Sequence, residues 1–110
     1  MKSPNDRLQG TIDLLILTTL DRLGPLHGYA IAKQIRERSG EALRIEDGAL
    51  YPAIHRMEQS KWLKAEWGVT DAKRPARLYR LTALGKKQLH KEQTRWTHLI
   101  SAVSRVIQPA

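Results

Sequence analysis

The 110-residue sequence contains no cysteine, which excludes a disulfide framework, a zinc–thiolate site and a thiol nucleophile. Long apolar runs are missing too. The longest, Leu14 to Leu17, is far too short to span a bilayer, and the polar opening Met1 to Leu8 holds no secretory h-region. The expectation is a soluble, unprocessed, cytoplasmic protein with no membrane partner. The signatures of catalysis are equally absent: there is no glycine-rich phosphate loop, no HExxH, no GxSxG and no working carboxylate pair. Of the four histidines, His27 and His55 fall on separate elements, apart from His90 and His98. His90 and His98, two turns apart on one helix, are separated by roughly 12 Å of helical rise, too far to share a metal ion. No enzyme, cofactor or metal site is expected.

Acidic residues are scarce in one half of the chain only. Residues 1–60 hold eight basic and eight acidic side chains, whereas residues 61–110 hold eleven basic and three acidic, so the second half carries the whole net charge of +8. Between Lys73 and Lys91 there are seven basic residues and no acid. Such segregation points to a polyanionic partner, nucleic acid before anionic membrane, although a charge run can equally be a solvated face.

Apolar spacing orders the rest. Leu8, Ile12, Leu15, Ile16, Leu20 and Leu23 recur at helical intervals, with Leu14 and Leu17 as a second stripe, so a first helix over about 8–23 is apolar on two sides, one for its own domain and one for a second chain. Gly24-Pro25 stops it. A second helix follows Leu26-His27-Gly28-Tyr29, places Ile31 and Ile35 one turn apart, and ends at Ser39-Gly40. Leu43-Arg44-Ile45 alternates like a very short strand.

The third helix organises the molecule. In Glu46 to Glu58, residues Leu50, Ile54 and Met57 form an inward stripe with Ala53 at its edge, leaving Pro52, His55 and Gln59 outward, flanked by Tyr51 and Arg56. Pro52 lacks an N–H, which suits a first turn and predicts a start near Gly48 or Ala49. After Ser60 the period drops to two. Leu63, Ala65 and Trp67 alternate with Lys64 and Glu66, Arg77, Tyr79 and Leu81 alternate with Leu78 and Arg80, and the polar loop between them carries Lys73 and Arg74. This predicts a basic-tipped β-hairpin, with Trp67 on the buried face beside Leu63. Thr82 then caps a last helix over about 83–107, polar around Leu89 and apolar at Trp96, Leu99, Ile100, Val103 and Ile107, with Val106 beside them. There is no internal repeat or low-complexity segment.

The fold class expected is therefore mainly α with a small β-hairpin, a winged helix-turn-helix over 1–82 followed by a long C-terminal dimerisation helix over 83–110, packed as one compact domain. The motifs Leu26-His27-Gly28-Tyr29, Gly48-Ala49-Leu50-Tyr51-Pro52-Ala53 through Glu58, and Arg77-Leu78-Tyr79-Arg80-Leu81-Thr82 with Gly85 strongly resemble the PadR family of bacterial transcriptional regulators, and Gln9-Gly10-Thr11 fits as well. The resemblance implies a homodimeric repressor on double-stranded DNA, of the short type with one helix after the wing. Its third helix would read the operator and its wing would touch the duplex backbone. Relatives commonly carry a hydroxyl residue where Ala49 stands, which puts a side-chain cap or phosphate contact there in doubt.

The DNA-binding residues expected are Tyr29, Ala49, Tyr51, Pro52, His55 and Arg56, with Lys73, Arg74 and Arg77 from the wing. Arg56 is the candidate for a guanine edge; Lys73 and Arg74 suit phosphates. Tyr29 and Tyr51 have packing between helices as their alternative. Dimerisation is assigned to Ile12, Leu15 and Ile16 with Trp96, Leu99, Ile100, Val103 and Ile107. Trp96 would line a site for a small apolar effector, as in some short members of the family, or serve simply in the dimer core. A different class of function stays open: a winged-helix adaptor that binds protein, its basic wing merely solubilising. Membrane docking of the last helix is disfavoured, because its bases and its apolar residues occupy opposite ends instead of opposite faces.

Overall fold

The computed structural model describes the backbone of residues 4–109 and the side chains of residues 11–109. Seven elements follow in order: α1 (Pro4–Leu23), β1 (Leu26–His27), α2 (Gly28–Arg38), α3 (Asp47–Gln59), β2 (Leu63–Val69), β3 (Pro75–Leu81) and α4 (Ala83–Ile107). The fold is mainly helical, with a three-stranded antiparallel sheet in the order β1-β3-β2. Leu8, Gln9 and Gly10 lie within helical backbone, but their side chains, like residues Met1–Ser3, fall outside the described residues.

The core forms where the three inward stripes meet the sheet. Ile16, Leu17 and Leu20 of α1, Ile31 and Ile35 of α2, and Leu50, Ala53, Ile54 and Met57 of α3 are buried against Leu63 of β2, Tyr79 of β3 and Leu89 of α4. Ile16 is wholly inaccessible, so it belongs to the protomer's own core and is withdrawn from the dimer surface assigned to it above. Ile12 and Leu15 are partly buried against the same core.

Local chemistry sets the boundaries. Leu26 and His27 pair with Tyr79 and Leu78 of β3, making a strand too short for any periodicity to reveal. His27 then caps α2, its Nδ1 accepting from the Ala30 N–H at 3.3 Å. At the other end of α2, Gly40 adopts φ 64°, and the N–H groups of Gly40 and Glu41 bond back to the carbonyls of Glu37 and Arg36, a Schellman closure. Residues 43–45 form no strand. The edge of β3 they could have joined is taken by β1, and Ile45 packs on the core instead.

α3 begins at Asp47, slightly earlier than the proline suggested, with Glu46 at the N-cap but no side-chain cap bond. Position 49 is thus inside the helix, where a hydroxyl would not cap it. Pro52 lies in the second turn. The intrahelical bond it cannot make would have gone to the carbonyl of Gly48; both residues are exposed, so that carbonyl is open to solvent. β2 and β3 run in register from Leu63↔Leu81 to Val69↔Pro75. Thr82 closes the sheet onto α4: its Oγ1 donates to the Lys61 carbonyl at 2.6 Å and accepts from the Gly85 N–H at 3.0 Å. α4 spans 83–107 as the spacing predicted, and the molecule measures 57 × 29 × 29 Å.

Candidate nucleic-acid interface

With Leu50, Ala53, Ile54 and Met57 buried, the other side of α3 faces solvent, and Ala49, Tyr51, Pro52 and His55 are exposed. Tyr51 is shared between two environments. Its ring lies so close over Gly28 that a Cβ there would stand 2.6 Å from Cε1 and 2.9 Å from the hydroxyl oxygen, yet the residue remains 44% exposed. The packing and DNA-facing readings of Tyr51 are therefore compatible: one edge rests on the start of α2 and the remainder is open. Tyr29, one residue on from Gly28, is 64% exposed and stacks on the His27 ring with centroids 6.3 Å apart. The α2 N-terminus thus brings two tyrosines to one side of the molecule.

Arg56 does something else. Its two terminal nitrogens clasp the carboxylate of Asp13 at 2.9 and 2.6 Å, a bidentate pair between α3 and α1. Asp13 is buried, and its hydrogen bond to Arg56 is the main reason that the guanidinium is held above its ordinary pKa. Charge from Glu92 of α4 adds to the effect. Arg56 accordingly ties helices together: the terminal edge of its guanidinium, the one expected to reach a guanine, is spent on Asp13 instead. The sequence carried half of the signal, the need for a partner but not its identity. Asp13 stands three, four and seven residues before Ile16, Leu17 and Leu20, on the buried stripe, and a buried carboxylate requires a partner.

The wing divides its basic residues. Lys73 and Arg74 are exposed at the loop, where Thr70 organises the turn: its carbonyl accepts from the Lys73 N–H, its N–H donates to the Arg74 carbonyl, and its Oγ1 accepts from the Arg74 N–H. Neither side chain has an ion-pair partner among the described residues. Arg77, further down β3, donates to Glu58 of α3 at 2.9 Å and lies 5.7 Å from the centre of the Tyr79 ring. It is a strut between wing and α3 more than a free phosphate ligand. Burial raises the Tyr79 phenol above its usual pKa, in part countered by Arg77. Trp67, expected on the buried face, is 74% exposed; its face of the sheet is the one that carries Leu63, but the core ends before reaching it.

In the far half of α4, Trp96, Leu99, Ile100, Val103 and Ile107 are exposed, as is Val106 at 83%. Trp96 also borders an open groove of about 560 Å³ between α1, α2 and α4, with Leu14, Leu15, Ile35 and Leu43 on its walls and Arg38 at its rim. Among the described residues there is no cluster of potential metal ligands, and no helix is long and apolar enough to cross a membrane.

Solved structures similar to this chain include transcriptional regulators. A transcriptional regulator from Clostridium thermocellum is 28% identical with a TM-score of 0.83, covering 94% of this chain and 99% of its own. A PadR family transcriptional regulator from Eggerthella lenta is 29% identical with a TM-score of 0.77, covering 96% and 90%. A third, a PadR family regulator from Clostridium difficile, is 28% identical with a TM-score of 0.75, covering 88% and 98%. The profile of the transcriptional regulator PadR-like family matches residues 16–91. Since that match takes in α2, α3 and the whole wing, the chain belongs to the PadR-like family of transcriptional regulators.

Proposed function

We propose that this DNA-binding regulator acts as a homodimeric repressor on a pseudo-palindromic operator, α3 entering the major groove of each half-site and the wing resting on the adjoining backbone. The observation that carries the reading is the exposed side of α3, with Tyr51 and His55, set beside a wing whose loop presents Lys73 and Arg74 in solvent, without ion-pair partners among the described residues. Tyr51, His55 and Tyr29 are positioned to contact the duplex. Ala49 and Pro52 allow close approach because they are small or ring-closed and exposed. Two such helices in a dimer would meet half-sites about one helical turn, ~34 Å, or a multiple of it apart. Residues 1–82 form the DNA-binding unit and α4 the dimerisation helix, with the exposed stripe from Trp96 to Ile107 as its contact. A small apolar effector would enter beside Trp96, where Leu14, Leu15, Ile35 and Leu43 line the groove together with threonines, Ser39 and Gln93.

The test is binding to the gene's own upstream duplex and to random duplex of equal length across a salt series. Tight binding to the first that survives salt abolishing the second is expected, because base readout remains when counterion release is suppressed. Replacing Lys73 and Arg74 together by Ala should lower the log–log salt slope by about four per dimer, about two from each wing, and weaken both duplexes similarly. Equal, steep salt dependence on both duplexes would reject operator reading. A protein partner unaffected by charge reversal at Lys73 and Arg74 would favour the adaptor.

A further inference from the structure

The wing carries a large apolar side chain that its own core does not use. Strand register places Leu63 and Leu81, Ala65 and Tyr79, Trp67 and Arg77, then Val69 and Pro75 as successive cross-strand pairs on one face. The first two pairs reach the core, with Leu63 3% and Tyr79 7% exposed; the last two overhang it, with Trp67 74% and Val69 66% exposed. The opposite face closes over itself at this level, since the Leu78 side chain fills the space where a Gly68 Cβ would lie. The indole therefore stands uncovered on the face that looks toward α3.

The direction of that face is set by an ion pair. Tyr51, His55 and Glu58 recur at i, i+4, i+7 and form one stripe of α3. Glu58 at its end accepts from Arg77, and Trp67 is the cross-strand neighbour of Arg77. The surface thus runs from the exposed tyrosine and histidine of α3, across a neutralised Glu58–Arg77 pair, to the indole, and then to the free bases of the loop. At the point where the strip crosses onto the wing, the charges are satisfied by each other, and what faces outward is an aromatic ring.

Resting on the DNA-binding reading above, we propose that Trp67 is a duplex-anchoring residue: its indole lies on the deoxyribose edge of the strand that the wing straddles, its Nε1–H donating to a phosphate oxygen. The chemistry of the surroundings selects this occupant. Residues 63–81 hold five basic side chains against two acids, so an apolar ring within this hairpin is complementary to a polyanion that also offers C–H surface. Tryptophan supplies both an apolar face and one donor. Contact with sugar and phosphate adds affinity without reading sequence.

Affinity of Trp67→Ala and Trp67→Phe for operator and random duplex, measured across salt and paired with acrylamide quenching of tryptophan emission, tests this. Trp67→Ala should lose roughly tenfold in affinity on both duplexes, in the range that aromatic contacts with nucleic acid supply, while its salt slope stays at the wild-type value because no charge is removed. Trp67→Phe should retain most of the affinity. Duplex should shield wild-type emission from acrylamide and leave that of Trp67→Phe unchanged, a readout that a merely structural tryptophan would not produce. Wild-type affinity in Trp67→Ala overturns the proposal. So does an indole already shielded in the DNA-free protein at micromolar concentration, which would place a second copy of the chain there. Absence of wild-type binding to any duplex removes the underlying reading as well, and is distinguishable from both.

Discussion

Gly28 and Tyr51 compete for the same few ångströms. A methyl group at residue 28 would overlap the Tyr51 ring, and that ring is half exposed, so it can swing outward at modest cost. Helix propensity favours alanine over glycine by up to about 1 kcal/mol, offsetting part of the clash. Gly28→Ala should therefore leave thermal stability within about 1 kcal/mol of wild type while operator affinity falls several-fold, because Tyr51 loses the surface that orients it. Melting and binding curves on the same variant separate the two effects. A loss of stability with unchanged affinity would show that the orientation of Tyr51 does not matter to DNA. The residue scale also explains why Arg56 misled: its place beside His55 on α3 is legible from spacing, but its commitment to Asp13, 43 residues earlier, is a long-range fact that no local pattern contains.

Among the elements, α1 is the hub. It lends Ile16, Leu17 and Leu20 to the core, Leu14 and Leu15 to the groove beside Trp96, and Asp13 to Arg56 of α3. A ligand or partner that shifts α1 in the groove would act on α3 through that bidentate pair, a contact between packed elements that has to move as a unit. Asp13→Asn should cost roughly 2 kcal/mol of stability, because it leaves a half-buried guanidinium without its counter-charge. The paired replacement Asp13→Leu with Arg56→Met should recover much of that loss, since removing both charges removes the need for pairing. Chemical denaturation of wild type, Asp13→Asn and the double variant checks this. If the double variant is no more stable than Asp13→Asn, the pair is not an isolated tie.

At the scale of the whole molecule, the 57 Å long axis and the 29 Å short axes reflect α4 projecting beyond the body. Its first half is anchored, with Thr82 capping it, Gly85 pressed on the Trp62 carbonyl and Leu89 in the core. Its second half exposes Leu99, Ile100, Val103 and Ile107, apolar area that a second copy would cover in the proposed dimer. Val103→Asp should shift sedimentation equilibrium at micromolar concentration from dimer to monomer and weaken operator binding at least tenfold, since two half-sites would no longer be engaged together. A variant that remains dimeric would place the dimer contact elsewhere.

Periodicity and punctuation alone determined the four helices, the hairpin and their order. Each depends on neighbours within a turn or two: the Leu50, Ile54, Met57 stripe, the Schellman glycine at 40, and the Thr82 cap. The segregation of charge and the exposure of Tyr51, His55, Lys73 and Arg74 were legible for the same reason, because polar residues on the unburied side of an amphipathic element face water by default. Tertiary structure decided what depends on contacts between distant segments. It added β1, two residues that are a strand only because β3 offers an edge. It drew Arg56 to Asp13 and Arg77 to Glu58, sent Ile16 wholly into the protomer core, and left Trp67 beyond the reach of that core. Alternation assigns a side chain to a face of a sheet; only the extent of the packing beneath determines whether that face is covered.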